Sequence, residues 1–240
     1  MTSILIAQYL LFNDTSFSGQ GGSAAEFSKK TPVRMESADI RISVPDCKVK
    51  VTYKFRNTSS KAFSSKMGFP EEGYDAFLEN GRKTYFKFFN STVDGVKVTT
   101  KPMIVSDEEI TDMGYKVWWM KDVPFAANQT RTVVNEYQTQ PGTSTFPVHF
   151  LQYIAHTAET WNGPVGSIRY ELDVTRLPKG TRYGFDMPGS RKEGNKHLWF
   201  LTKLEPTSSH DLSVSWESEP GNIHSAEDLK LIFGRNVFTR

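Results

Sequence analysis

Apolar and polar residues alternate with period two along several stretches of this chain. In the first, Val49, Val51, Tyr53 and Phe55 are separated by Lys50, Thr52, Lys54 and Arg56. Successive side chains of a strand point to opposite faces, so this spacing predicts a strand with one buried and one wetted face. Ile168, Tyr170, Leu172 and Val174 alternate with Arg169, Glu171 and Asp173, and Leu212, Val214 and Trp216 alternate with Ser213, Ser215 and Glu217. Strand composition also marks Ala38 to Val44, Ala62 to Phe69, Thr84 to Val93, Val96 to Thr99, Tyr115 to Met120, Thr130 to Tyr137 and His197 to Leu204.

The punctuation between these runs is turn chemistry. Asp94-Gly95 tolerates the positive φ angles of a tight hairpin turn and joins two of the runs. Asn57-Thr58-Ser59-Ser60 predicts a second hairpin between 49–56 and 62–69, with Pro70 interrupting the ladder. Helical signals are sparse. Ser106 with Glu109 predicts a capped turn ended by Gly114, and Ser225 caps a short helix over Ala226 to Phe233. The spacing of His149 to Thr160 fits a strand or a short helix equally.

The expected fold is mainly β, as two sandwich-like, immunoglobulin-like halves with few short helices. The boundaries are a signal-like or flexible segment over 1–30, a first sandwich over 31–147 and a second β-rich domain over 148–240. Trp161, beside Gly163-Pro164, is expected to plug the junction between the halves.

Composition narrows the function classes. In 240 residues, a hydrophobic share of 38% and an aromatic share of 13% supply enough apolar area for a packed core. Lys and Arg total 29 against 27 Asp and Glu, and the signs are interspersed along the strands, which argues against nucleic acid as a partner. The single cysteine, Cys47, forms no intramolecular disulfide and is expected to be inert. Ile4 to Phe12 is too short to span a bilayer, so no integral membrane protein is expected. That stretch resembles a secretory signal core but lacks a preceding Lys or Arg and a clear cleavage site. A shortened signal and a mature strand both remain open.

No catalytic motif is present, and no enzyme activity or cofactor is expected. His149, His156, His197, His210 and His224 lack metal-site spacing and are expected to be scattered on the surface. Glu71-Glu72 and Asp107-Glu108-Glu109 are expected to be solvated carboxylates, and Gly19-Gln20-Gly21-Gly22 a linker. The N-x-Ser/Thr triplets at Asn13, Asn57, Asn90 and Asn128 matter only in a glycosylating host. Candidate interaction residues are Trp118, Trp119 and Trp161, because exposed rings stack on sugars or anchor partners. Trp118 and Trp119, being adjacent, point to opposite strand faces.

Several strings resemble the bacterial family DUF4424, whose members have no known function and usually carry an export signal. They are Asn13-Asp14-Thr15, Val33 to Ile40, Val51 to Ser59, Gly68-Phe69-Pro70, Val93-Asp94-Gly95 and Trp161 to Gly166. The Asn-Thr-Ser turn, Phe-Pro strand end and Asp-Gly turn also resemble, more weakly, the β-sandwich domain of vault-associated and inter-alpha-trypsin-inhibitor proteins. The resemblance implies a periplasmic or extracellular location and a scaffold or adhesion role. The resulting expectation is a non-enzymatic exported module contacting an unknown protein or glycan partner. Its rivals are a carbohydrate-binding module and a hydrolase whose site is assembled from dispersed His and carboxylate residues.

Overall fold

In a computed structural model the described residues are 20–22, 25–26, 31–72, 86–104, 117–144, 146–233 and 237–240. Along the chain run β1 (Gln20–Gly22), β2 (Ala25–Glu26), β3 (Val33–Ser43), β4 (Lys48–Asn57), β5 (Phe63–Glu72), β6 (Phe88–Val93), β7 (Val96–Val98), β8 (Lys101–Ile104) and β9 (Val117–Phe125). There follow β10 (Thr130–Gln138), β11 (Gly142–Thr143), β12 (Val148–Ile154), β13 (Val165–Asp173), β14 (Arg182–Phe185), β15 (Arg191–Glu193), β16 (Lys196–Leu204), β17 (Leu212–Glu217), helix α1 (Ala226–Phe233) and β18 (Val237–Thr239).

The mainly-β expectation holds. One sheet has the order β18-β14-β17-β12-β1-β5-β9-β8, with β11 on β12 and β2 on β5; the other has β15-β16-β13-β3-β4-β10-β6-β7. Both sheets draw strands from either side of residue 147. The joins are the parallel pairings of β3 with β13 in one sheet and β1 with β12 in the other, together with the short antiparallel pairing of β11 with β12. The expected halves, 31–147 and 148–240, are therefore connected by continuous backbone ladders.

Alternation becomes layering as predicted. Val49, Val51, Tyr53 and Phe55 are buried while Lys50, Lys54 and Arg56 face water. The inner faces meet across the sandwich. Tyr53 of β4 and Tyr153 of β12 share a buried hydroxyl hydrogen bond of 3.0 Å. Phe69 packs on Tyr137 with ring centroids 5.2 Å apart, and Phe185 on Trp199 at 4.9 Å. Each such buried ring contributes about 2–3 kcal/mol from apolar area alone.

Three local expectations need correction. The segment 48–57 and its successor form no hairpin: β4 pairs with β3 and β10, whereas β5 pairs with β9 in the other sheet. The connection is an arch between sheets, as is the neighbouring link from β9 to β10. Asn57 buckles the two arches, its Nδ2 donating to Lys61 O at 2.7 Å and Ala126 O at 3.0 Å, and its Oδ1 accepting from Ser59 N at 3.0 Å. Buried and so bonded, Asn57 is no glycan acceptor in the fold.

The second correction concerns Pro70, which lies inside β5. It pairs opposite Trp118 of β9, at a position where neither β1 nor β2 pairs on the other side. The strand tolerates the missing N–H there. Third, Gln20-Gly21-Gly22 is no free linker but β1, between β5 and β12. A ladder requires only backbone N–H and C=O groups, so glycine can supply a strand without supplying a core residue.

The Asp94-Gly95 hairpin is as expected, with φ of 50° and 82° at its two central residues. Asp94 also accepts from Thr132 N and Arg131 Nε, each at 2.8 Å, tying the turn to β10. Ser225 Oγ caps α1 by accepting from Glu227 N at 3.1 Å and Asp228 N at 3.2 Å. The ambiguous stretch resolves into both alternatives, β12 followed by a short 3-10 turn over His156–Thr160. The capped turn expected near Ser106 lies outside the described residues.

Candidate functional site

Among the described residues, β7 and β8 are edge strands that end their respective sheets, joined by only Thr99 and Thr100. Beside them opens a cleft of about 440 Å³ whose lining includes Phe89, Asn90, Lys97, Thr99, Thr100 and Trp119. Its volume falls in the roughly 300–1,000 Å³ range of ligand sites.

Alternation along β9 turns Trp119, Lys121, Val123 and Phe125 toward the other sheet. Trp119 is half-buried at the open end of this row. Its indole stacks on Phe89 at 5.2 Å with 20° between planes, and Phe89 stacks on Phe86 at 5.8 Å. Its Nε1 donates to Glu71 Oε2 at 2.7 Å, while Glu71 Oε1 accepts from Phe86 N at 3.1 Å. Glu71 is fully buried, so the expectation of a solvated carboxylate is overturned there. A buried carboxylate accepting two N–H groups fixes both indole and backbone, which preorganises the cleft wall.

The other two tryptophan candidates do not share this site. Trp118 is buried on the opposite strand face. Trp161 is buried against Phe55, with centroids 4.4 Å apart. Neither ring reaches solvent, so neither can serve as an exposed interaction residue: Trp161 packs in the core and Trp118 is enclosed on the far face of β9. Trp161 does plug the sandwich where β3 and β13 meet: the next residue, Asn162, donates its N–H to Val33 O at 3.0 Å.

The histidines are not uniformly on the surface. His197 is fully buried, hydrogen-bonded to Tyr183 Oη at 2.9 Å and packed on Phe185 at 4.8 Å. Burial, reinforced by Lys192, pushes its pKa down to about 4, so the ring is neutral at ordinary pH. His156 Nδ1 lies 2.8 Å from Asp211 Oδ2, and that hydrogen bond raises its pKa. Asp211 Oδ1 accepts from Ala155 N and His156 N, at 2.7 and 3.1 Å, so the pair anchors the 3-10 turn to the start of β17. It lines neither of the two cavities described. The second cavity, about 190 Å³, lies on the outer face of the β3-containing sheet among Arg41, Lys48, Lys50, Glu136, Glu171 and Asp173. Ion pairs ladder this face, including Lys196–Glu171 at 2.6 Å and Arg169–Asp39 at 3.1 Å. Lys196, and then Arg169, hold the Glu171 carboxyl below its usual range.

Among the described residues no three His, Cys, Asp or Glu side chains gather as a metal would require. Nor is any helix among them long and apolar enough to cross a membrane. Asp107, Glu108 and Glu109 lie outside the described residues. Glu71 was missed as a site residue because its neighbours, Pro70 and Glu72, carry no sign of burial in sequence. The faint signal was its place on the strand face opposite Pro70, the same face as Phe69 being taken by core.

Among curated proteins, none matches the chain in sequence. Among solved structures, the fold is similar to a "putative nutrient binding protein" of Legionella pneumophila, with a TM-score of 0.69 and 21% identity over 85% of this chain and 73% of that one. That likeness shows the fold alone. An M1 zinc metallopeptidase of Deinococcus radiodurans matches at a TM-score of 0.35 and 8% identity, over 77% of this chain and 42% of that one. Leukotriene A4 hydrolase of Saccharomyces cerevisiae matches at 0.38 and 10%, over 80% and 30%. Likenesses this distant carry no argument about activity. The family model for DUF4424, a domain of unknown function, matches residues 12–132, spanning the arches, the Asp94-Gly95 turn and the Trp119 wall. The chain belongs to the DUF4424 family.

Proposed function

We propose that this chain is a non-enzymatic, exported β-sandwich module that engages a protein partner at the cell envelope or surface through the cleft beside Trp119. The carrying observation is the indole held by buried Glu71 at the mouth of a cleft flanked by two edge strands. Edge strands offer free backbone groups for strand addition, and a rigid half-exposed Trp is an efficient anchor. On edge strand β7, Val96 is 69% exposed and extends the apolar surface.

A carbohydrate is the second reading, favoured by the amide of Asn90 and hydroxyls of Thr99 and Thr100 beside the aromatic wall. The structural likeness to a protein named for nutrient binding is compatible with either ligand. Export is tested by N-terminal sequencing of the native protein from fractionated cells; an intact Met1 on protein found only in the cytoplasm would remove the envelope role. Binding is tested by titrating envelope proteins and glycans against tryptophan fluorescence in the native chain and in Trp119→Ala. Equal binding by both proteins would remove the cleft from the proposal.

A further inference from the structure

Three polar side chains meet in the apolar layer between the sheets. Lys121 Nζ, from β9, donates to Ser91 Oγ of β6 at 2.7 Å and to Asn135 Oδ1 of β10 at 2.8 Å. Ser91 Oγ in turn donates to Asn135 Oδ1 at 2.9 Å. Exposure is 6% for Lys121, 1% for Ser91 and 0% for Asn135, which excludes bulk water from the cluster.

This arrangement leaves two electrostatic debts. Lys121 forms no ion pair among the described residues, although a buried ammonium without a carboxylate is strongly disfavoured. Asn135 Nδ2 is buried without a hydrogen-bond partner. Burial pushes the Lys121 pKa down to about 7, so much of the side chain is free amine at neutral pH. A desolvated neutral lysine is a nucleophile. The amide carbon of Asn135 is the electrophile adjacent to the oxygen it touches, and the Ser91 hydroxyl polarises that carbonyl.

We propose that Lys121 and Asn135 join in an intramolecular isopeptide bond that staples β9 of one sheet to β10 of the other. The lone pair of Nζ attacks Cγ of Asn135, forming the new C–N bond and moving the carbonyl electron pair onto Oδ1. Ser91, which accepts from Nζ and donates to Oδ1, touches both the atom that loses a proton and the oxygen that gains negative charge. Collapse of the tetrahedral centre breaks the Cγ–Nδ2 bond, and Nδ2 leaves as ammonia with the proton surrendered by Nζ. No oxidant, reductant or water enters the balance. The product has neither an unpaired ammonium nor an orphaned amide NH₂, so bond formation discharges both costs. Ser91 also lines the cleft beside Trp119, but the bond can form whether or not that cleft binds a partner. It also provides a cross-link that the lone Cys47 cannot.

The test is intact-mass measurement of the purified full chain under denaturing conditions, against the mass calculated from its sequenced N-terminus. The native protein is expected to be lighter by one ammonia. Its tryptic digest should contain a branched peptide joining the Lys121 and Asn135 segments, with no cleavage after Lys121. Lys121→Arg and Asn135→Ala should each show their full calculated mass, and Ser91→Ala should accumulate the unlinked form. Full mass with linear Lys121 and Asn135 peptides in the native protein would overturn the proposal. So would an ammonia loss that persists in Asn135→Ala, since it would originate elsewhere.

Discussion

Substituting His197 by glutamine is expected to abolish a specific part of the acid sensitivity of this fold. The ring of His197 is fully buried between the sheets, with Tyr183 Oη on Nε2 at 2.9 Å and Ser190 Oγ 3.3 Å from Nδ1. Burial is the main cause of its low pKa, about 4 against an ordinary 6.5, and Lys192 adds a smaller repulsion. Below 6.5 the unfolded chain takes up a proton that the folded chain refuses until about 4. Stability from the neutral ring is therefore complete above 6.5 and declines as pH falls through that interval. At about 1.4 kcal/mol per unit, the full loss is about 3 kcal/mol. Urea unfolding followed by tryptophan fluorescence, across the interval and for both proteins, measures it. Asp186, pushed up to about 6, and His156, raised by Asp211, titrate nearby in pH but are present in both proteins and largely cancel in the difference. The stability gap between native protein and His197→Gln should narrow by about 3 kcal/mol on acidification. A gap that stays constant from 6.5 to 4 would refute the reasoning.

Three further expectations follow from close packing. In Gly166→Ala the new Cβ would lie 2.3 Å from Glu36 O, beside the bulge between Met35 and Ser37, and should cost about 2–4 kcal/mol in urea unfolding; an unchanged midpoint would exclude that clash. Asn57→Ala strips both arches of their shared amide and should cost about 3 kcal/mol, whereas a loss under about 1 kcal/mol would show that the arches hold without it. Cys47 is buried, and burial pushes its thiol up to about 12, so a maleimide should label it only as fast as the protein opens; rapid labelling in native buffer would contradict its placement.

How far sequence reaches is visible in particular elements. The alternations at 49–55, 168–174 and 212–216, the Asp94-Gly95 turn and the Ser225 cap were all legible, because each depends on side chains a few positions apart. Two of the strings that resemble DUF4424 lie within the matched residues 12–132 and have structural reasons, Asn57 buckling two arches and Asp94 holding β10, while Gly166, outside that range, permits the approach of β3. Those reasons were not legible, since each partner lies far along the chain.

The same limit governs the site. Trp118 and Trp119 read alike in sequence, and alternation sends them to opposite faces of β9, but only the tertiary structure shows that Trp118 is enclosed while Trp119 borders a cleft against the other sheet. Alternation at 49–56 and strand composition at 62–69 mark two strands; they do not specify whether the two pair together or part into different sheets. Glu71, Lys121 and His197 are polar residues buried by packing, and burial lowers the pKa of Lys121 and of His197. Composition and local spacing by themselves determined the β class, the turns and the strand faces. The partners of each strand, and the solvent-free surroundings that change what a lysine, a carboxylate or an imidazole can do, were decided by long-range packing, because desolvation depends on every layer that covers a group and not on its sequence neighbours.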